Sequence, residues 1–387
     1  MVNIDKVQFS PDSGFDIEHA MELANLISVA YNEYEVWDIN KDLQDSEKLL
    51  KEITGSKAFI NLGTNYTERC AESGRKTGKS QPNRDYQRLN DFWQQQSSKL
   101  VTYERLDTFY FPGWWWGEIL KPGNILQVLT TDIRDIFEKL QDLIVDETIF
   151  GFIARSKTES NKFFVIFRGT RESAEWFNNF RPVPKPFLNE EFEGLGEVRN
   201  GFNLIYSSPN RQPKNNNSKI QQTIADLFDR HPINDRSQIF VSGHSLGAGL
   251  ATLAALHIYK FAEQKNINPS IQLYTFASPR VGEEKFASHF HFIPSYRIIN
   301  SEDLIQSVPL PTTEVVDREI FDGMNSMTQA RFSAFKAFLN SITNGQSEKH
   351  YQHVGIPITF TKQTGTIAGN HNLTNTYREA LDINEHN

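Results

Sequence analysis

Five consecutive residues, Gly243-His244-Ser245-Leu246-Gly247, carry the G-x-S-x-G spacing of a serine nucleophile. Alone, a pentapeptide is a weak signal. Its flanks strengthen it. Gln238-Ile239-Phe240-Val241-Ser242 reads as an apolar strand, and the run from Ala248 to Tyr259 reads as a helix rich in small residues. A strand leading in and a helix leading out force the serine into a strained turn. Only small residues at 243 and 247 let the two elements approach. Ser245 then sits at a helix N-terminus, where the dipole and the free amide of Leu246 favour an anion. The competing reading is a glycine-rich turn with a capping serine; it leaves the match of both flanks unexplained.

A serine hydroxyl is too basic to attack unaided. It needs a histidine base, itself oriented by a carboxylate. After such an elbow the chain order is Ser, then Asp or Glu, then His. His19 and His231 precede the serine. His244 is inside the elbow and cannot reach round as its base. His257 falls mid-helix in an apolar stretch and reads as a core residue, and His289 and His291 precede the carboxylate. The strand around Tyr296–Ile299 ends at Asn300, so Asp303 and Glu302 both lie on the following loop; spacing does not separate them. Downstream, His386 is next to the last residue, and His353 looks like a structural residue entering the last strand. His371 follows that strand and precedes a helix, which makes it the best-placed base, with His353 second.

An oxyanion hole needs one amide after the nucleophile and one donor on an earlier loop. Leu246 supplies the first. The strand Phe163–Phe167 ends in Arg168-Gly169-Thr170, where Gly169 lets the backbone turn and Thr170 offers an amide and a hydroxyl. Without the elbow, that tripeptide would read as an ordinary strand-ending turn.

These residues need a scaffold. Apolar residues at helical spacing (Ile17, Ala20, Met21, Ala24, Ile27, Tyr31) predict a helix over 15–37. Further helices are expected near 41–53, 83–98 and 129–144. From 148 on, strands and helices alternate: strands in 148–156 and 162–167, helices at 200–206 and 218–230, a strand at 237–242, a helix at 245–263. There follow a strand at 270–276, a helix at 281–290, a strand at 295–300, a helix near 324–343, a strand near 354–361 and a helix near 372–383. That alternation predicts an α/β domain with a mostly parallel central sheet flanked by helices. We expect one domain over 1–387. Its catalytic core would span 148–383. An extra, mainly helical N-terminal segment would cover residues 1–145, including a stretch at about 55–128 with no recognisable counterpart.

Composition bounds the rest. The 387 residues carry 40 Lys+Arg against 48 Asp+Glu, a net charge of −8, which argues against a nucleic-acid partner. The single cysteine, Cys70, forbids an intrachain disulfide and a cysteine-built zinc site. Neither a leader-like N-terminus nor an apolar run of membrane-spanning length is present in the sequence. A cytoplasmic location is therefore expected. The aromatic content is 12%, led by 29 Phe. The cluster Trp114-Trp115-Trp116 either packs the N-terminal segment onto the core or anchors at a membrane interface.

Taken together, the motifs resemble the class 3 (fungal-type) lipases of the α/β-hydrolase superfamily. The matching blocks are Phe167–Thr170, Trp176, Val198-Arg199-Asn200-Gly201-Phe202, Gly243–Gly247, Thr275–Gly282, Arg297–Asp303 and His371–Tyr377. The resemblance implies a triad of Ser245, Asp303 and His371, with Thr170 and Leu246 as oxyanion donors. It implies hydrolysis of acyl-lipid esters without metal or organic cofactor, the substrate being a lipid or ester. Peripheral contact with a membrane or lipid-droplet surface is expected; the sequence leaves the oligomeric state open. In fungal members the stretch after the F-R-G-T block forms an amphipathic lid. Here Trp176, Phe177 and Phe180 share one helical face and form the candidate lid. Two other classes of function fit the same residues: a lipid acyltransferase, and a non-catalytic lipid-binding protein on a hydrolase fold.

Overall fold

The structure, a computed structural model, describes residues 7–8, 10, 13–38, 92–93, 100, 102–111, 148–169, 184–188, 191–207, 220–307 and 351–385. The expected helices near 41–53, 129–144 and 324–343 lie outside the described residues, as do Thr170, the candidate lid residues Trp176, Phe177 and Phe180, and Trp114–Trp116.

A seven-stranded sheet forms the centre. Its strands are β1 (Tyr103–Phe111), β2 (Thr148–Ser156), β3 (Lys162–Phe167), β6 (Gln238–His244), β7 (Ser270–Phe276), β9 (Ser295–Asn300) and β11 (Ile356–Phe360), adjacent in that order. β3, β6, β7, β9 and β11 run parallel, while β1 and β2 are antiparallel additions at one edge. A second, small sheet joins β4 (Pro184–Pro186), β5 (Glu197–Arg199), β8 (Gly282–Glu283) and β10 (Tyr351–Gln352), in the order β10-β8-β5-β4.

The Phe-rich strands follow from burial on both faces, which replaces polar alternation by continuous apolar runs. Along β3, Phe163, Val165 and Phe167 join one core cluster, and Phe164 and Ile166 join the other. The first cluster is covered by α2 (Asn200–Ser207), α3 (Ile220–Arg230) and α4 (Leu246–Gln264). The second is covered by α1 (Ile17–Asp38), through Leu23, Ala24, Ile27 and Ala30, and by the C-terminal helix α6 (Glu379–Glu385), through Ala380 and Leu381. The Asp16 side chain accepts the His19 amide at 3.0 Å and so caps the start of α1.

Besides the short strands β4, β5 and β10, two elements differ from the sequence-based expectation. β1 lies inside the segment expected to be mainly helical. It is an edge strand with a partner on one side only, and its polar residues Glu104, Arg105 and Asp107 mask a strand pattern. The helix expected over 281–290 is a short β8, then α5 (Glu284–Ser288), then a 3₁₀ turn at His289–Phe292. No helix among the described residues is long and apolar enough to cross a membrane.

Glu33 of α1 is fully buried. It takes a hydrogen bond from Trp93 Nε1 and lies 3.7 Å from Arg105 Nε of β1. Burial, only partly offset by Arg105 and Trp93, raises its carboxyl from 4.5 to about 7. The folded chain thus holds this proton more tightly than the unfolded chain, and the stability it contributes is full below pH ~4.5 and lost as pH rises through about 7. Glu33→Gln should flatten that slope and, at pH 8, stabilise the fold by on the order of 2 kcal/mol. Chemical denaturation of both proteins across pH 5–8 measures it; an unchanged slope would contradict the assignment of that proton to Glu33.

Candidate active site

Four parallel strands bring their C-terminal ends to one edge of the sheet, where ligands bind in open α/β folds. β6 ends at His244 and delivers Ser245. β9 ends at Asn300 and delivers Asp303. β11 ends at Phe360, and the chain after it reaches His371. β3 ends at Phe167 and leads into Arg168-Gly169.

Ser245 has φ 58° and ψ −124°, a left-handed backbone that L side chains rarely adopt. Its amide donates to the Phe276 carbonyl of β7 at 2.9 Å, fixing the turn to the neighbouring strand. The glycines are required by contact. A Cβ on Gly243 would sit 2.2 Å from the Gly247 carbonyl oxygen, and one on Gly247 would sit 2.4 Å from the Arg168 carbonyl oxygen. Leu246 is the first residue of α4, where backbone N–H groups lack intrahelical partners. The loop after β3 packs directly on this turn, since a Cβ on Gly169 would meet Ser245 Cβ at 2.9 Å.

Asp303 and His371, 68 residues apart, meet at 2.7 Å through Oδ2 and Nδ1, with 0% and 2% of their side chains exposed. Of the two loop acids, Asp303 makes this bond; Glu302 instead accepts from Gln363 Nε2. Asp303 also accepts the Ile305 amide at 2.9 Å and the Tyr377 hydroxyl at 2.6 Å. The Tyr377 phenol is held well above its ordinary pKa, by burial first and by the Asp303 charge second, so it stays a donor. Tyr377 reaches the carboxylate from a π-helical turn, Leu373–Arg378. There the amides of Thr376 and Tyr377 both bond the Asn372 carbonyl, at 3.1 and 3.3 Å.

With Nδ1–H given to Asp303, Nε2 of His371 is left with a lone pair. His371 Nε2 and Ser245 Oγ are both buried and both lack a hydrogen-bond partner among the described residues. One can accept a proton and the other can donate one. Orphaned polar atoms of this kind are rare in folded proteins and mark strained or functional groups.

Sequence reasoning gave no role in the site to four residues here, Tyr31, His244, Arg168 and Tyr377. The His244 ring lies between the Tyr31 hydroxyl, 2.9 Å from Nδ1, and the His371 carbonyl, 2.9 Å from Nε2. Arg168 donates from Nε to the Ile149 carbonyl and from Nη1 to the Gly169 carbonyl, with its guanidinium 3.7 Å from the ring centre of Tyr34. Tyr377 is the fourth. A faint signal existed in Tyr31: a tyrosine on the apolar stripe of a helix carries a hydroxyl that needs a partner once buried. His353 lies before β11, at the far end of that strand from His371. Burial, then Arg297 and Arg280, push its imidazole well below the ordinary histidine range. His257 bonds Tyr206 within the core, as its sequence context suggested.

A mostly parallel sheet flanked by helices, with a strained serine between β6 and α4, defines the α/β-hydrolase fold. Residues 164–313 match the family described as Lipase (class 3), so the resemblance carried by the motifs holds. A rice protein, phospholipase A1-II 7 of Oryza sativa subsp. indica, is 33% identical over 165 residues, covering 38% of this chain and 40% of its own. A lipase of Rhizomucor miehei is 28% identical over 184 residues, covering 46% and 45%. Among solved structures, a triacylglycerol lipase described as having a serine-protease triad is 27% identical over 41% of this chain and 55% of its own, with a TM-score of 0.32. The chain spans less than half the length of the curated relatives it matches first, at 40%, 38% and 43%.

The glycine contacts predict that Gly247→Ala drives a methyl group into the Arg168 backbone, which cannot yield as a flexible side chain can. We expect a loss of roughly 3 kcal/mol or failure to fold. A thermal melt of the variant checks this; an unchanged midpoint would mean that the elbow is looser than the contacts imply.

Proposed function

We propose that this chain is a serine carboxylester hydrolase acting on acyl lipids. The observation that carries the reading is the pair of buried, unpartnered atoms, Ser245 Oγ and His371 Nε2, behind a histidine already held by Asp303. In this reading Ser245 attacks the ester carbonyl and His371 takes its proton. Asp303 keeps the imidazole in the tautomer with Nε2 bare and stabilises the imidazolium that forms. The Leu246 amide and, on the earlier loop, the Thr170 amide hold the oxyanion. His371 then protonates the leaving alcohol, and water, activated by the same ring, releases the acid from Ser245.

The substrate class rests on the relatives. Proteins named phospholipase A1 and lipase are similar to part of this chain, and the family match over 164–313 takes in Ser245 and Asp303, which supports a glycerolipid ester over a small soluble one. A cytoplasmic setting belongs to the same proposal, supported by the single cysteine.

Ser245→Ala should abolish hydrolysis across a panel of phospholipid, triacylglycerol and short-chain esters while leaving the melting temperature intact. The wild type, but not the variant, should be labelled by a fluorophosphonate. Hydrolysis by the variant near the wild-type rate would remove the assignment. Asp303→Asn should lower kcat by roughly 10⁴-fold, the size expected when the histidine is left in the wrong tautomer. A loss of less than about tenfold would assign the carboxylate role elsewhere.

A further inference from the structure

We propose that Tyr31 is a positioning residue for the reaction, its hydroxyl joining the oxyanion loop, the nucleophile turn and the base loop into one hydrogen-bonded unit. The inference rests on the ester-hydrolase reading of Ser245 and His371.

Tyr31 lies 213 residues before His244 in the chain, on α1. Its hydroxyl makes two bonds. It is 3.0 Å from the Gly169 amide and 2.9 Å from His244 Nδ1. His244 Nε2 in turn lies 2.9 Å from the His371 carbonyl. Three functional segments therefore meet on one short path: the loop that leads to Thr170, the residue preceding Ser245, and the backbone of the base itself.

The direction of every bond on this path is forced. A carbonyl oxygen only accepts, so His244 Nε2 carries the hydrogen it gives to His371. Burial, then the neighbouring His371, keeps the His244 imidazole well below its ordinary pKa, so the ring is neutral. A neutral ring with Nε2–H has a bare Nδ1. Tyr31 O–H must then donate to Nδ1, and its oxygen is free to accept the Gly169 N–H. Burial raises the Tyr31 phenol far above its usual value, so this donor is not lost near neutral pH. The same neutrality means that His244, whose ring centre is 4.7 Å from that of His371, does not compete for the proton that His371 takes up.

Gly169 is gripped from both sides. Tyr31 holds its N–H, and Arg168 Nη1 holds its C=O at 2.8 Å. The next residue, Thr170, is the oxyanion donor in the proposed reaction. The position of Gly169, the residue before that donor, is thus tied to His371 through a side chain from a distant helix. Donors aimed at developing charge work because they are fixed before the reaction, and a displacement of about 1 Å can cost ~100-fold in rate.

Tyr31→Phe tests the hydroxyl while keeping the ring. With a soluble chromogenic ester, kcat should fall roughly 10–100-fold with KM within about twofold, and the melting temperature should stay within a few degrees. In a His244→Gln background the same change should cost clearly less than in the wild type, because the arm of the path through His244 is already cut and only the Gly169 bond is left to lose. Retention of kcat within about twofold by folded Tyr31→Phe, or a full multiplicative loss in the double variant, overturns the proposal. A structural readout separates this from failure of the hydrolase reading. In ¹⁵N-histidine-labelled protein, His244 should show a bare Nδ1 and protonated Nε2, with the Nδ1 resonance moving on Tyr31→Phe. A wild type that hydrolyses no ester but shows this pattern overturns only the hydrolase reading. A His244 protonated on Nδ1 overturns the proposal whether or not esters are turned over.

Discussion

A carboxylate with no exposed surface is costly unless donors surround it, and Asp303 is such a group. Much of the irregular structure at this end of the sheet answers that single requirement. The 3₁₀ turn Ile305–Ser307 presents an amide to one carboxylate oxygen. The π turn at 373–378 swings a tyrosine onto the other. His371 completes the set from a loop that could not stay in place alone. Asn300 pins it: its Nδ2 donates to the Lys362 and Asn370 carbonyls, and its Oδ1 accepts the Lys362 amide. Asn370 returns a bond to the Glu302 carbonyl. Asp303 and His371 are thus held by one cross-linked pair of loops, and an apolar residue at 303 would leave the Ile305 amide, the His371 ring and the Tyr377 hydroxyl without their acceptor.

The sheet supplies the other half of the geometry. Because both of its faces are buried, α1 can lie against the face opposite α2, α3 and α4 and still reach the C-terminal edge of the strands. This helix carries Tyr31 to the nucleophile turn and Tyr34 to the guanidinium of Arg168. Covering the sheet and ordering the site are therefore two tasks of the same helix, carried on neighbouring turns of it.

How much of this the sequence made legible depended on length and on contact range. β7 and β9 have the bounds expected for them, because runs of four and six buried residues leave a clear pattern. The strand–turn–helix around Ser245 was equally plain, since sterics demand glycine where the chain crosses itself. The small sheet was not, as strands of two or three residues carry no period. β1 was hidden by its edge position and by the Pro112-Gly113 that follows it. Asp303 and Glu302 could not be separated by spacing, because which side chain turns inward is decided by Tyr377 and Ile305, neither of which adjoins them in an obvious pattern. His244 was set aside as a base, and both its ring nitrogens are indeed occupied, but its contact with Tyr31 spans 213 residues and leaves no local trace.

The order in which the functional residues occur along the chain has a consequence for biosynthesis. Tyr31 comes first, then Gly169, then the nucleophile, then its carboxylate, and the base only at position 371, after the last strand of the central sheet. A ribosome making this chain exposes an elbow serine more than a hundred residues before the imidazole that could activate it. A translation product cut short anywhere in that interval holds the nucleophile and no base. In the proposed reading Ser245 and His371 come together only once β11 has closed the sheet, so a prematurely terminated chain would lack the ester-cleaving pair.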